Sequence, residues 1–334
     1  MPGTSRSLLA AAALIAAGAA SAVYQQAAEV RDRRRFPPPG RLVGVGGRRL
    51  HLIEAGAGAP TVVIVPALAD NVLQWVSIQR ELASDTRVIV YDRAGIGWSD
   101  PPLRRRYTFD NAAADLHDLL AAARVVPPYV LAGHSLGGIV ARRFADRYPD
   151  MVTGMVLLDS SHEDQVARLA VSGHGRRYYL GLAAKRQARI LGMRRLAASL
   201  GVAHQLDADV KREAPPEFRA ALRAIFLSSR QRRAVVRELL MLAGTSGDPP
   251  ELGFLPLTVV TAADRDAGWV QLQDDLAALS ACGSHITAPS AGHYVHLDDP
   301  GLVIEVIRDL VFGLRLRPVV LGDSFRPGVA GDEF

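Results

Sequence analysis

Cysteine is almost absent: Cys282 stands alone in 334 residues. A single thiol excludes an intrachain disulfide framework and any cysteine-based zinc cluster. No dinucleotide fingerprint follows a first strand, and the acids and histidines lack metal-ligand spacing along the chain, so no cofactor and no metal are expected. There is no internal repeat. No nucleic-acid recognition motif accompanies the arginines, so no nucleic-acid partner is expected. Apolar residues are not scarce: at 49% hydrophobic and 22% charged, the composition excludes disorder as the general state. The length suits one α/β body carrying an insertion.

Long apolar runs are also missing, with one exception. Leu8 to Val23 is uncharged and alanine-rich, preceded by Arg6 and followed by Arg31, Arg33, Arg34 and Arg35. Extension through Tyr24, Gln25, Gln26, Ala27 and Ala28 reaches the roughly 20 residues that a bilayer requires. The expectation is a membrane partner through residues 8–28, a single N-terminal anchoring helix whose orientation stays open, although the arginines favour a cytoplasmic C-terminal side. Ala20-Ser21-Ala22 also fits a signal-peptide cleavage site, so secretion after cleavage is the alternative. Phe36-Pro37-Pro38-Pro39-Gly40 reads as a stiff linker that ends this first unit, residues 1–40.

The formal charge of +5 is uneven. Residues 160–254 hold 16 Lys/Arg against 9 Asp/Glu, net +7, and residues 1–40 hold 5 against 2, net +3, which leaves −5 elsewhere. An anionic lipid surface or an acidic substrate is one reading of the basic stretch, and a solvated helical face is the other.

Between residues 41 and 317 the pattern alternates. Leu42–Val45 and Arg49–Glu54 flank Gly46-Gly47 as a hairpin. Thr61–Val65, Arg87–Tyr91, Tyr129–Ala132, Val152–Leu158, Leu257–Ala262 and His285–Ala288 are short apolar runs of the kind buried on both faces of a sheet. Helical patterns separate them at Trp75–Ala83, Tyr107–Ala123 and Ile139–Tyr148, and another closes the series at Pro300–Leu314. The order predicts an α/β fold with a doubly wound, mostly parallel sheet. Residues 160–255 contain no convincing strand but carry helical patterns at Gln187–Leu200, Pro216–Ser228 and Arg232–Leu242. They read as a helical cap between strands 6 and 7, dividing the core into residues 41–159 and 256–317. Residues 318–334 read as a flexible tail.

The chemistry centres on Gly133-His134-Ser135-Leu136-Gly137-Gly138, between an apolar strand and a helix. This fits the strand-turn-helix elbow that exposes a serine hydroxyl as a nucleophile, with glycines where side chains would collide. A hydroxyl needs a base beside it, and His293 follows the last apolar strand on a glycine-containing turn. His134, His162 and His296 are the competing histidines, read as structural or pocket-lining.

Three separated motifs, the elbow, Tyr91-Asp92-Arg93-Ala94-Gly95-Ile96-Gly97-Trp98-Ser99-Asp100 and Ser290-Ala291-Gly292-His293 with Asp299-Pro300, together resemble the α/β-hydrolase family over about residues 41–315. The resemblance implies Ser135 as nucleophile, His293 as base and a carboxylate that orients the imidazole. For that carboxylate Asp159, after the sixth strand, competes with Asp266 and then Asp264, after the seventh. There the family's usual Gly-x-x-Asp is replaced by Ala262-Ala263-Asp264-Arg265-Asp266. An oxyanion hole is implied at the backbone N–H groups of Leu136 and Leu68, although Pro66-Ala67-Leu68 replaces the family's His-Gly. A serine nucleophile implies acyl transfer, and the first expectation is a hydrolase of carboxylic esters with an apolar part. Carbon–carbon bond hydrolase, thioesterase, acyltransferase and haloperoxidase chemistry remain alternatives, as does a noncatalytic membrane-tethered binding protein. Oligomeric state is not legible.

Overall fold

The computed structural model describes residues 3–104, 106–168, 175–188, 195, 201 and 203–316. Eight strands form one sheet: β1 (Arg41–Val45), β2 (Arg48–Ala55), β3 (Thr61–Val65), β4 (Val88–Asp92), β5 (Tyr129–His134), β6 (Val152–Leu158), β7 (Leu257–Ala262) and β8 (Gly283–Ala288). Their order across the sheet is β1-β2-β4-β3-β5-β6-β7-β8. β2 runs antiparallel to β1 and β4, and the other pairings are parallel.

The central strands are buried along their whole length, which is why they read as unbroken apolar runs. Alternate residues serve opposite faces. Val63, Val65 and Leu131 join one core cluster with helices α3 (Phe109–Ala122) and α4 (Leu136–Arg147). Val62, Ile64, Val130 and Ala132 join the other with α2 (Val76–Leu82) and a C-terminal helix, Pro300–Leu316. Thr108 caps α3 by accepting from the Asn111 N–H, and Asn111 returns the bond to Thr108. The fold is therefore the doubly wound α/β sheet that the sequence predicts.

Between β6 and β7 the chain leaves the sheet as a cap. Its described helices are α5 (Gln165–Arg168), α6 (Arg176–Ala188), α7 (His204–Glu213), α8 (Arg219–Phe226) and α9 (Ser229–Ala243). Most of the helix expected over Gln187–Leu200 lies outside the described residues, as does the expected tail at 318–334. Part of the cap's basic balance meets acids of the rest of the chain, at Arg168–Asp275, Arg212–Asp298 (2.6 Å) and Arg195–Asp32 (2.5 Å). The first two are partly exposed and contribute little each, whereas Arg195–Asp32 is largely buried; all three turn cap cations toward the body rather than outward.

Helix α1 (Gly3–Arg35) is continuous, as its pattern predicts, yet its second half belongs to the globular body. Gln25 Nε2 donates to the Leu227 carbonyl (2.8 Å), the Ser229 N–H donates to Glu29 (2.6 Å), and Ala28 is buried. Among the described residues, no helix is long and apolar enough to cross a membrane. The span expected over residues 8–28 is thus corrected. Gln25 is committed to the cap, Ala28 is buried, and the 16 residues from Leu8 to Val23 extend about 24 Å as helix against the roughly 30 Å of a hydrocarbon core. The proline segment is fastened as well, since the Trp98 indole donates to the Phe36 carbonyl at 3.0 Å.

Candidate active site

β5 ends at His134 and α4 begins at Leu136, so Ser135 alone makes the turn, with φ +51° and ψ −122°. A non-glycine residue persists there only when its surroundings hold it. They do: the Ser135 N–H donates to the Leu158 carbonyl (3.0 Å), and its own carbonyl accepts from the N–H groups of Gly138 and Ser161, both at 3.0 Å. The two elbow glycines are required by close approach. A Cβ on Gly137 would lie 2.0 Å from the Val65 carbonyl oxygen, and one on Gly133 would lie 2.7 Å from the Gly138 Cα.

His293, in the loop after β8, places Nδ1 2.6 Å from Asp159 Oδ2. Asp159 is fully buried at the end of β6 with φ +38°. The same carboxylate accepts from Arg265 Nε (2.9 Å) and Nη2, from the Trp269 indole (2.9 Å) and from the Ala262 N–H (3.2 Å). Burial alone would raise its pKa, but the hydrogen bonds from His293 and Arg265 outweigh it and hold the carboxyl well below the ordinary range. Burial pulls the His293 pKa below the usual imidazole value, against the upward pull of Asp159. A neutral imidazole whose Nδ1 is bonded to a carboxylate keeps Nε2 as a proton acceptor.

The other two candidate acids stand elsewhere. Asp266 caps α10 (Ala267–Ala277) by accepting from the Trp269 N–H at 2.9 Å. Asp264 is two-thirds exposed, and its Oδ1 is 4.0 Å from Arg265 Nε. The loop after β7 thus sends an arginine, not a carboxylate, toward His293's partner. Among the competing histidines, His162 accepts from the Asp164 N–H (3.0 Å) at the start of α5. His134 and His296, the latter on α11 (Val295–Asp298), are buried behind Ser135 and His293. His134 Nε2 bonds the His293 carbonyl at 2.8 Å, which ties the residue beside the serine to the histidine loop.

The loop after β3, where Leu68 was expected to donate to an oxyanion, lacks the family's glycine but is braced otherwise. Buried Arg93 donates to the carbonyls of Pro66 and Ala67 (2.5 Å to Ala67) and pairs with Glu238 of α9 at 2.8 Å. Glu238 in turn accepts from the Ala69 N–H at 3.2 Å, and Ala69 takes φ +68°. Leu136, the other expected donor, opens α4 directly after Ser135. Sequence reasoning missed Arg93, Glu238, Arg265 and Trp269 as parts of the site. It also missed Arg142 of α4, whose guanidinium is fully buried between Glu163 (2.7 Å), Ser160 and Ser161 and so fixes the chain leaving β6. Arg142 had a faint signal, an arginine inside the apolar face of α4; the others are paired across distances that no local pattern encodes.

Linear spacing also concealed a cluster. Asp70, His134 and His296, from three distant segments, bring one ligand-type atom each to within 4.8 Å of one another. The expectation that the acids and histidines lack a ligand arrangement holds along the chain but not in space.

Comparison with known proteins agrees with this architecture. The family model described as the alpha/beta hydrolase fold matches residues 60–300. An AB hydrolase superfamily protein from Gibberella zeae is 34% identical over 118 residues, covering 34% of this chain and 37% of that protein. A putative carbamate hydrolase RutD from Cronobacter turicensis is 34% identical over 102 residues, 30% of this chain and 38% of that protein. The matched stretch therefore spans well under half the length of these curated relatives. A thermophilic esterase from Thermogutta terrifontis superposes with a TM-score of 0.59 at 22% identity, covering 82% of this chain and 98% of its own, which is a likeness of fold. With the family model matching well over half of its length, and with the sheet order and elbow described above, the chain belongs to the alpha/beta hydrolase fold family.

Proposed function

We propose that this hydrolase acts on carboxylic esters with an apolar part, through Ser135, His293 and Asp159. The observation that carries the reading is the 2.6 Å bond between His293 Nδ1 and Asp159, made behind a strained serine elbow. In the proposed cycle Ser135 Oγ attacks the acyl carbon while His293 Nε2 takes its proton. The N–H groups of Leu136 and Leu68 receive the oxyanion. Collapse expels the alcohol, which takes the proton back from His293. Water, deprotonated by the same nitrogen, then attacks the acyl-enzyme and releases the acid and Ser135. No cofactor enters these steps. Support for an apolar substrate part comes from Leu68, a half-buried leucine that packs against the apolar core to which the cap also contributes. The descriptions of the esterase and the carbamate hydrolase name cleavage of related acyl bonds.

The test is turnover of p-nitrophenyl esters of increasing acyl length by the purified chain. Hydrolysis with an optimum at some chain length is the expected result; a folded protein inert on every ester would overturn the ester reading. The pH profile is a separate prediction. The base must be neutral, and the His293 pKa is lowered from 6.5 by burial. So kcat/KM should hold level through neutral pH and fall about tenfold per unit only below the ordinary imidazole range. An acid limb centred above 6.5 would contradict this assignment of the base.

For localisation we propose that the outer part of α1, Leu8–Val23, attaches the chain to a membrane, with cleavage after Ala22 and secretion as the rival. Either leaves Gln25, Glu29 and Asp32 on the cap. Intact mass of the protein recovered from the membrane fraction distinguishes them: a full-length chain in the pellet supports attachment, and a soluble chain beginning at Val23 refutes it.

A further inference from the structure

We infer that Asp70, His134 and His296 form a binding site for a divalent transition-metal ion of the zinc type, behind the elbow and separate from the proposed chemistry. All three side chains are almost entirely buried, with exposures of 3%, 0% and 2%. Asp70 Oδ2 lies 3.6 Å from His134 Nδ1 and 3.9 Å from His296 Nε2, too far for hydrogen bonds. None of these three atoms has a hydrogen-bond partner. Buried polar atoms are rarely left so, and here the orphaned atoms converge on one point.

The tautomer of His134 is set by its far nitrogen. His134 Nε2 faces the His293 carbonyl at 2.8 Å. A carbonyl only accepts, so Nε2 carries the hydrogen, and in the neutral ring Nδ1 presents a lone pair. That lone pair points toward a carboxylate oxygen, an arrangement that asks for positive charge between them. His296 is stacked on Trp75 at 4.1 Å and 5°, which fixes its plane while leaving its ring nitrogens unpaired.

The geometry suits zinc. Ligand bonds of about 2.0–2.1 Å in a tetrahedron put ligand atoms roughly 3.3 Å apart, so the two separations from Asp70 Oδ2, 3.6 and 3.9 Å, need to close by about half an ångström, and the two imidazoles, within 4.8 Å, have to draw together around the ion. Two imidazoles and a carboxylate are also a donor set for zinc or ferrous iron, with the remaining coordination supplied by water. The supports around the ligands are in place too. Gln74 Nε2 donates to Asp70 Oδ1 at 2.9 Å, and His134 uses its far nitrogen on a backbone carbonyl, the pattern that orients metal ligands. An ion there would fasten the loop after β3, the end of β5 and α11 to one another, and through His134 it would steady the loop carrying His293.

The experiment uses the full chain, stripped with chelator and then exposed to zinc chloride, both folded and during refolding, with metal content, titration calorimetry and Tm as readouts. One zinc per chain and a zinc-dependent rise in Tm are expected. Cobalt(II) should give the visible absorption of a tetrahedral nitrogen and oxygen site, a signature that requires no variant. Asp70→Asn and His296→Gln should each weaken zinc binding at least tenfold, whereas His285→Gln, at a half-buried histidine paired with Asp274 away from the cluster, should leave it unchanged. The proposal is overturned if the unmodified chain takes up neither ion. It is equally overturned if uptake survives both substitutions, which would mark surface binding. A protonated His134 imidazolium in place of a metal is what the first of those outcomes would indicate.

Discussion

Replacing Ser135 by alanine is expected to lower kcat/KM on a p-nitrophenyl ester by on the order of 10⁴-fold or more, with the fold intact. The elbow explains both halves of the expectation. Ser135 is 7% exposed at the end of β5, and its backbone is held by Leu158, Gly138 and Ser161 through main-chain groups that alanine keeps. Losing one oxygen from such a position leaves the turn and its strain as they were, so Tm should move by no more than a few degrees. Chemistry, in contrast, loses its nucleophile. Residual turnover would come from substrate binding and the backbone donors alone, and it should show no burst of acyl-enzyme. If the alanine variant hydrolysed the ester as fast as the parent, the serine mechanism would have to be abandoned.

The elbow could be found from sequence because its signature, a serine between glycines that joins an apolar run to a helical pattern, is local, although the contacts that hold it, to Val65, Leu158 and Ser161, are not. A strand buried on both faces is a continuous apolar run, so Thr61–Val65, Val152–Leu158 and Leu257–Ala262 were legible to the residue. At the sheet's edge the signal weakens: β8 begins at Gly283, two residues before the apolar pattern does, because Gly283 and Ser284 at its start are exposed. Helix α1 was legible as a helix but not as a partner of the cap. Its alanine-rich pattern fixes the backbone, whereas its docking depends on Gln25 reaching Leu227, 202 residues away. The same limit governs the site. Ser135 and His293 sit on turns with their own motifs, but several carboxylates end neighbouring strands, and choosing among them needs the angle at which each side chain leaves. Arg93 and Glu238 are 145 residues apart, and only the folded chain shows them bracing the loop that lost its glycine.

Asp159→Asn is expected to reduce kcat/KM by on the order of 10³ to 10⁴, while Asp266→Ala should stay within a few-fold of the parent. Asp159 holds His293 Nδ1–H on Oδ2 and receives Arg265, Trp269 and Ala262 on its two oxygens. An amide in that position offers one acceptor where four donors converge. Its NH2 group must face either His293 and the Arg265 guanidinium together, favouring the wrong tautomer, or the Trp269 indole and the Ala262 N–H, setting donor against donor. Because hydrogen bonds from His293 and Arg265 keep Asp159 ionised far into acid, the variant's deficit should persist throughout the neutral range rather than appear on one side of it. Asp266 spends its carboxylate on the first turn of α10, so its removal should cost about 1 kcal/mol of stability as a lost helix cap and little activity. Measuring the two variants side by side makes the assignment a ranking rather than a single loss. The reverse order, with Asp266→Ala crippled and Asp159→Asn active, would move the acid to the loop after β7. Arg265 would then be left as a structural partner of a carboxylate that takes no part in the reaction.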